Sequence, residues 1–386
     1  DLGYANLKII ASVQEDDVLV VRDNDRHNYL DPVLSIEGLP AGSTYQRAEF
    51  TPETSLVDTS TFEINLVSNE PALNGKLDWT VGAFYMDHEI ENVIRGYRDD
   101  DLDGRIKYLC DESFADPSYC YDHDYGIPGR FDIFGPNAEV DFFTDANPSR
   151  ESYSVYAQTT YSLADAFRIV SGLRYSEDTF TTDVTNFLNV ESFQEEGTTD
   201  EITSRVVAEV DFSEDLMGYF ALARGFKPGG SNLTFGFDDD NAPPMVFPTF
   251  EAETVDSVEF GLKSTFADGA ARANIAVFSY TYENLQFQAT DPDIYRGGVA
   301  NIPESEMSGL EVEFTGFLTD SLSLDMNLAF LDSEVTSDYE VLDNVDAYPY
   351  FFGEEDIRYG LRENVKGNQL AKTPEFTADI TLKHET

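Results

Sequence analysis

The most regular feature of the chain is a strict alternation of apolar and polar residues. In "SGLEVEFTGFL", Leu310, Val312 and Phe314 fall on one face, and Glu311 and Glu313 fall on the other. A period of two residues is typical of a β-strand whose faces meet different surroundings. The alternation predicts about twelve strands, near residues 4–14, 60–69, 76–90, 151–163, 166–180, 200–213, 215–226, 252–266, 270–288, 304–319, 321–337 and 373–385.

Short turns alternate with long polar segments between these predicted strands. Turn sequences recur about every 50 residues, at 161–167, 212–217, 266–271 and 318–323, and an earlier one at 70–79 fits the scheme. Long polar segments, expected to be loops, lie near 14–58, 89–149, 181–199, 227–250, 289–304 and 338–372.

A soluble β-sandwich also alternates, but three features favour a membrane barrel. Several strands exceed the usual length of about 5–6 residues, the turns are short at one end only, and charges recur on the polar face. We therefore predict an all-β fold, a transmembrane antiparallel β-barrel with short periplasmic turns and long extracellular loops. Tyrosines near strand ends are expected in the interfacial girdles, namely Tyr153, Tyr161, Tyr175 and Tyr219.

Composition narrows the function classes. The chain has 386 residues, 74 acidic against 24 basic, and a formal net charge of −50, with 13% aromatic residues. The aromatic content excludes an acidic disordered chain, and the charge excludes a general nucleic-acid binder. The acidity favours cations, metal complexes or a saline habitat, or it solvates the long loops.

Two further features concern the ends of the chain and its cysteines. No apolar run reaches the roughly 18 residues of a membrane helix, no signal peptide is visible, and Asp1 starts within an apparent element, so we expect a fragment. Cys110 and Cys120 fit a disulfide in an oxidising compartment, with free or metal-binding thiols as the alternative.

The stretch "YFALARGFKPGGSN" at 219–232 carries the most specific motif. It resembles the pattern Tyr-x-x-x-Ala-Arg-Gly-Phe-Lys-x-Gly-Gly-x-Asn of TonB-dependent outer-membrane receptors. Its core residues at the extracellular strand end are Arg224, Gly225, Phe226, Lys227, Gly229, Gly230 and Asn232. Segments such as "LDWTVGAFYMDHE" and "GNQLAKTPEFTADITLKHE" resemble other barrel segments of the same family, in the family's order.

The resemblance implies part of a barrel of about 22 strands in the outer membrane of a Gram-negative bacterium. It also implies a plug, a TonB-type energy-transducing partner and uptake of a scarce bulky nutrient, with a ferric siderophore or other iron complex first. Cobalamin, haem, an oligosaccharide or a passive channel without energy coupling are the alternatives. No cofactor is required, iron enters only as part of a transported ligand, and the surroundings are outer-membrane lipid and lipopolysaccharide.

Charged and aromatic residues are the candidates for binding a small-molecule or metal-complex ligand. Those predicted on the lumen wall are Arg205, Glu209, Glu259, Lys263, Glu311 and Glu313, and those in a long loop are Tyr348, Tyr350, Phe351 and Phe352. The alternative is that the wall charges only solvate the interior or contact the plug.

One acidic loop has the ligand spacing of a calcium site. Asp99, Asp101 and Asp103 precede Gly104 as at the start of a calcium loop, but Cys110 stands where a bidentate Glu is expected. Calcium binding is therefore a hypothesis beside that of an acidic solvated loop. No catalytic motif is found, so we predict that the protein is not an enzyme.

Overall fold

A computed structural model describes residues 2–23, 31–32, 44–45, 48–99, 139–186, 192–232, 249–290, 297–342 and 362–385. Twelve long strands form one sheet, each antiparallel to its neighbours and all in chain order. They are β1 (Ala5–Asp23), β2 (Ala48–Ser68), β3 (Leu77–Asp99), β4 (Glu139–Ala164), β5 (Phe167–Asn186), β6 (Ser192–Ser213), β7 (Leu216–Lys227), β8 (Glu253–Phe266), β9 (Ala271–Thr290), β10 (Gly297–Thr319), β11 (Leu322–Val335) and β12 (Phe376–His384).

Three short strand pairs lie in the long connections. Asp31–Pro32 pairs with Thr44–Tyr45, and Gly230–Ser231 pairs with Thr249–Phe250. Glu340–Leu342 pairs with Arg362–Asn364. Within the described ranges, no helix is long and apolar enough to cross a membrane.

The short turns lie where the sequence predicts them. Between β2 and β3, Leu73 and Asn74 have φ values of 51° and 61°, so residues 72–75 form a left-handed turn and no true helix. Between β8 and β9, Ala267, Asp268 and Gly269 also have positive φ. Gly269 adopts this conformation without the steric cost of a Cβ atom.

All twelve predicted strands are present, but many extend further than predicted at the long-connection end. The segments predicted as loops at 14–58, 89–149, 181–199 and 289–304 are too long, because strand pairing continues well into each of them. For example, β4 begins at Glu139, whereas the predicted strand begins at residue 151. In "EVDFFTDANPSR" apolar residues Val140, Phe142 and Ala146 fall on even positions, whereas those of 153–161 fall on odd positions, so the alternation of the predicted strand does not continue there.

The register sorts side chains onto two faces across the whole sheet. One row of directly paired positions contains only apolar residues over six successive strands, namely Phe220, Phe260, Val277, Leu310, Phe330 and Phe376. This side is called the outer face. The positions between them form the inner face, where Glu259, Glu311 and Lys263 lie.

Exposure on the two faces is the reverse of that in a soluble protein. Val258 and Phe260 on the outer face are 46% and 52% exposed, whereas Glu259 between them is half-buried. Val155, Val277 and Ile380 repeat the exposed apolar pattern on other strands. A spanning barrel has this arrangement, with an apolar band toward lipid and a polar interior.

Candidate functional site

The inner face carries the charged side chains predicted for the lumen wall. Arg205 and Glu209 on β6, Glu259 and Lys263 on β8, and Glu311 and Glu313 on β10 all share its parity in the register. The prediction of their common face is therefore correct. Their role in ligand binding stays a prediction.

Tyr219 joins two of these residues. Its hydroxyl donates to Glu259 Oε1 at 2.5 Å, and Lys263 Nζ lies 5.6 Å from the centre of its ring. The placement of Tyr219 in an outer girdle is wrong, because it is paired with Gly261 on the inner face. That prediction rested on its nearness to a strand end, while parity with Ala221 and Ala223 places it inside.

Other predicted residues have separate partners or none. Glu209 accepts from Arg168 Nε at 3.0 Å, and Arg168 also pairs with Asp211. Glu313 accepts from Asn274 Nδ2 at 2.9 Å. The wall thus holds several small polar groups, and the structure does not bring all the predicted residues to one point.

Glycines on the inner face let aromatic rings lie across the neighbouring strand. The four directly paired couples are Tyr156 with Gly82, Phe180 with Gly197, Tyr219 with Gly261 and Phe278 with Gly309. A Cβ atom at any of these glycines would lie between 2.3 and 2.7 Å from the ring. The missing Cβ therefore fixes where each ring rests.

A second polar group, which sequence reasoning missed, lies between β2 and β5. Tyr156 donates to Glu63 Oε1 at 2.5 Å and to Asn65 Oδ1 at 2.6 Å across Gly82. Arg174 lies over the ring of Tyr156, 5.4 Å from its centre. Strand parity was the available signal, but the partners are up to 93 positions apart in the chain.

The family motif ends in a segment, Pro228–Asn232, which we call the hook. Arg150 on the inner face of β4 donates to the carbonyl oxygen of Gly229 at 2.8 Å. Asn232 pairs with both backbone groups of Val299 on β10, at 2.7 and 2.8 Å. β7 ends at Lys227, so the motif marks a strand end as predicted, and the hook that follows ties strands on both sides of β7.

Close approach explains the two glycines of the hook. A Cβ atom at Gly229 would lie 2.6 Å from the carbonyl oxygen of Phe250, and one at Gly230 would lie 2.6 Å from the Phe250 ring. Before the hook, Arg224 lies on the outer face and pairs with Asp256 at 3.1 Å and Glu283 at 3.6 Å. Acidic side chains thus already balance the Arg224 charge.

The ion pair that anchors the hook is among the most buried on the wall. Arg150 pairs with Asp178, which also accepts a hydrogen bond from Ser152. Asp178 is 7% exposed. A buried carboxylate needs such partners, since an unpaired buried charge is strongly unfavourable.

One acid outside the strands has a shifted pKa. A hydrogen bond from Asn364 and a second from Lys366 hold the pKa of Asp338 below its usual range. These contacts link the end of β11 to the short strand Arg362–Asn364. They stabilise the base of the connection between β11 and β12.

Several predicted sites fall outside the described residues. Tyr348, Tyr350, Phe351, Phe352, Asp101, Asp103, Cys110 and Cys120 lie there, and the side chain of Asp99 at the end of β3 is not described. In the part of the chain that the structure describes, no three His, Cys, Asp or Glu side chains are grouped to hold a metal ion. The calcium and disulfide predictions stay untested.

Comparison with known proteins gives a family. Residues 17–385 match the family described as TonB dependent receptor-like, beta-barrel. The pesticin receptor of Yersinia enterocolitica is 28% identical over 226 residues, covering 56% of this chain and 30% of that protein. A probable TonB-dependent siderophore receptor of Acinetobacter baumannii, PiuA, is 26% identical over 297 residues, covering 73% of this chain and 37% of that protein.

A solved structure confirms the fold. The crystal structure of the ferric yersiniabactin uptake receptor FyuA from Yersinia pestis has a TM-score of 0.62 at 14% identity, covering all of this chain and 45% of that one. The predicted fold class, a transmembrane antiparallel β-barrel, is confirmed. The matches to the two curated relatives span about a third of each relative's length.

Proposed function

Because the chain belongs to the TonB-dependent receptor-like β-barrel family, we propose that it serves in energy-coupled uptake of a scarce, bulky nutrient. It is located in the outer membrane of a Gram-negative bacterium, as the barrels of this family are. The family match over residues 17–385, on a sheet whose charged face turns inward, is the observation that carries the proposal.

The cargo that we propose is a ferric siderophore or another iron complex. Two relatives support it by name, one a probable siderophore receptor and the other, at the level of fold, a ferric yersiniabactin uptake receptor. Iron is then part of the cargo and not a resident cofactor. Cobalamin, haem and oligosaccharides stay as alternatives, since the described wall has no feature that excludes them.

The chain's own residues would act by binding and shaping the interior. Inner-face groups such as Glu259, Lys263 and Arg205 offer charges and hydrogen bonds to a polar cargo or to a plug. The hook is hydrogen-bonded to β4 and to β10 of the same wall. A TonB-type partner acting on a plug would then open the path.

Uptake of radioactive iron tests the proposal. A strain lacking the gene should lose most uptake of at least one ferric complex, and the cloned gene should restore it. Restored uptake should stop when the energy-transducing partner is deleted. Unchanged uptake of every ferric complex would reject iron as cargo, and uptake independent of the partner would favour the passive channel.

A further inference from the structure

A hollow of about 440 Å³ lies on the inner wall between β3 and β7, bordered by Pro228 of the hook. Its wall is rich in hydroxyl groups, with Ser152, Ser154 and Ser176 among its residues. Phe84 and Arg174 also line the hollow. A pocket of a few hundred cubic ångströms is large enough for one arm of a bulky ligand.

Arg174 is held in a fixed orientation in this hollow. Its guanidinium carbon lies 5.6 Å from the centre of the Phe84 ring and 5.4 Å from that of Tyr156. Its Nε donates to Ser176 Oγ at 3.1 Å. Two rings and one hydrogen bond therefore position the Arg174 guanidinium. The N–H groups of its two terminal nitrogens form no hydrogen bond with the described residues and can donate to a ligand.

Arg174 forms no ion pair within 4.0 Å of any carboxylate in the described residues, although the charge of Glu63 attracts it at longer range. Both nearby acids accept hydrogen bonds from other side chains. Asp178 in the same hollow pairs with Arg150 and accepts from Ser152. Glu63, the other acid near Arg174, accepts from Tyr156 and Asn65.

The composition of the chain gives this observation weight. Acidic residues outnumber basic ones by 74 to 24. Arg174 is half-buried, and its two terminal nitrogens have no hydrogen-bond partner among the described residues. The positive charge of Arg174 therefore points to an anionic partner that comes from outside the described wall.

Ser154 supplies an independent sign of a missing partner. The residue is 2% exposed, and its Oγ has no hydrogen-bond partner among the described residues. Buried hydroxyl groups in native proteins are nearly always hydrogen-bonded. A ligand oxygen or a water that it orders would satisfy this group.

Resting on the proposed uptake function, we propose that this hollow binds a carboxylate group of the transported complex, with Arg174 and Ser154 as its donors. The arginine fork matches the two oxygens of a carboxylate. A carboxylate carries one charge, whereas a phosphate would bring nearly two charges beside Asp178 and Glu63. The proposal names the cargo class as a carboxylate-bearing ferric complex.

Calorimetric binding to the intact protein in detergent micelles tests this site with three probes: ferric citrate, citrate alone and a neutral ferric trihydroxamate. Arg174→Gln should weaken binding of both citrate probes at least tenfold, and Arg174→Lys less. Ser154→Ala should weaken it by a smaller factor. Arg272→Gln, the same charge change on the exposed inner face of β9 beside a short turn, should change it less than twofold.

Three results would overturn the proposal. They are equal weakening by the Arg174 and Arg272 variants, unchanged citrate binding in Arg174→Gln, and binding of the neutral complex alone. If unchanged citrate binding comes with a lower unfolding temperature of Arg174→Gln, Arg174 serves an internal contact.

The two proposals fail separately. Citrate binding that depends on Arg174, in a protein that takes up no iron, would keep the hollow and reject iron uptake. Energy-coupled iron uptake with binding indifferent to Arg174 would keep the uptake function and reject the hollow.

Discussion

Adding one methyl group at Gly261 should destabilise the barrel through a single tyrosine. A Cβ atom there would lie 2.3 Å from two ring atoms of Tyr219 and 2.5 Å from its hydroxyl oxygen. No real contact is that short, so in Gly261→Ala the ring must leave its place over β8. The hydrogen bond from Tyr219 to Glu259, 2.5 Å long, is then lost.

The size of the effect follows from what the ring gives up. A hydrogen bond to a charged group contributes about 1.5–3 kcal/mol, and the packing of the ring adds about 0.5–1.5 kcal/mol. We expect Gly261→Ala to lower the free energy of unfolding by about 2–4.5 kcal/mol on these grounds. Tyr219→Phe, which keeps the ring and loses the hydroxyl, should lose only the first part.

Denaturant unfolding in lipid vesicles measures these differences, and the chain supplies a matched control. Gly172 also lies on the inner face, but a Cβ atom there would meet only one backbone oxygen, at 3.9 Å. Gly172→Ala should therefore be neutral or slightly stabilising. In a Tyr219→Ala background, Gly261→Ala should cost almost nothing, because the clash is gone.

The reasoning would be refuted by either of two outcomes. One is that Gly261→Ala destabilises no more than Gly172→Ala. The other is that the Gly261→Ala and Tyr219→Ala penalties add, which would mean that the ring and the glycine act independently.

Three further predictions concern the hook, the ion pair that anchors it, and Asp338 after β11. Asn232→Ala removes two hydrogen bonds to the backbone of β10 and should lower the free energy of unfolding by about 1–3 kcal/mol. Hydrogen exchange at the start of β10 should become faster, and unchanged exchange would contradict the prediction. Arg150→Gln leaves Asp178 as a buried charge without its ion-pair partner and should lower the free energy of unfolding by about 3–5 kcal/mol. Adding Asp178→Asn to the same chain should recover part of this loss, and no recovery would contradict the ion pair. Asp338 has a lowered pKa, first through the hydrogen bond from Asn364, so its stabilising effect is present at neutral pH and fades as pH falls below 3.8 and then through the lower folded value. Hydrogen exchange of residues 362–368, corrected for intrinsic rates, should rise over that range, and Asp338→Asn should abolish the pH dependence.

Much of the fold follows from the sequence because the membrane imposes a simple pattern. Where one face meets lipid, as in residues 256–263, apolar and polar positions alternate and give both the strand and its facing. Beyond the apolar band the alternation in β4 changes phase, so the pattern of residues 153–161 gives no signal for the continuation of the strand from Glu139. Strand existence is therefore predictable, and the upper strand ends are not.

The candidate site was less predictable, for reasons of distance along the chain. The alternation correctly places Glu259 and Lys263 on one face. The same alternation places Tyr219 on that face, whereas its nearness to a strand end misleads. The contact from Arg150 to Gly229 joins residues 79 positions apart, and no local pattern encodes it. Only the folded sheet shows that the hook belongs to the wall.

The inward facing of the charged side chains tests the account most directly, since every functional statement depends on it. Single cysteines at Val258, Glu259, Phe260 and Lys263, each carrying a fluorophore, can be compared in vesicles with brominated acyl chains. A barrel with a charged interior should show strong quenching at 258 and 260, where apolar side chains face lipid, and little at 259 and 263. Equal quenching at all four positions, or the opposite alternation, would contradict a barrel with a charged interior.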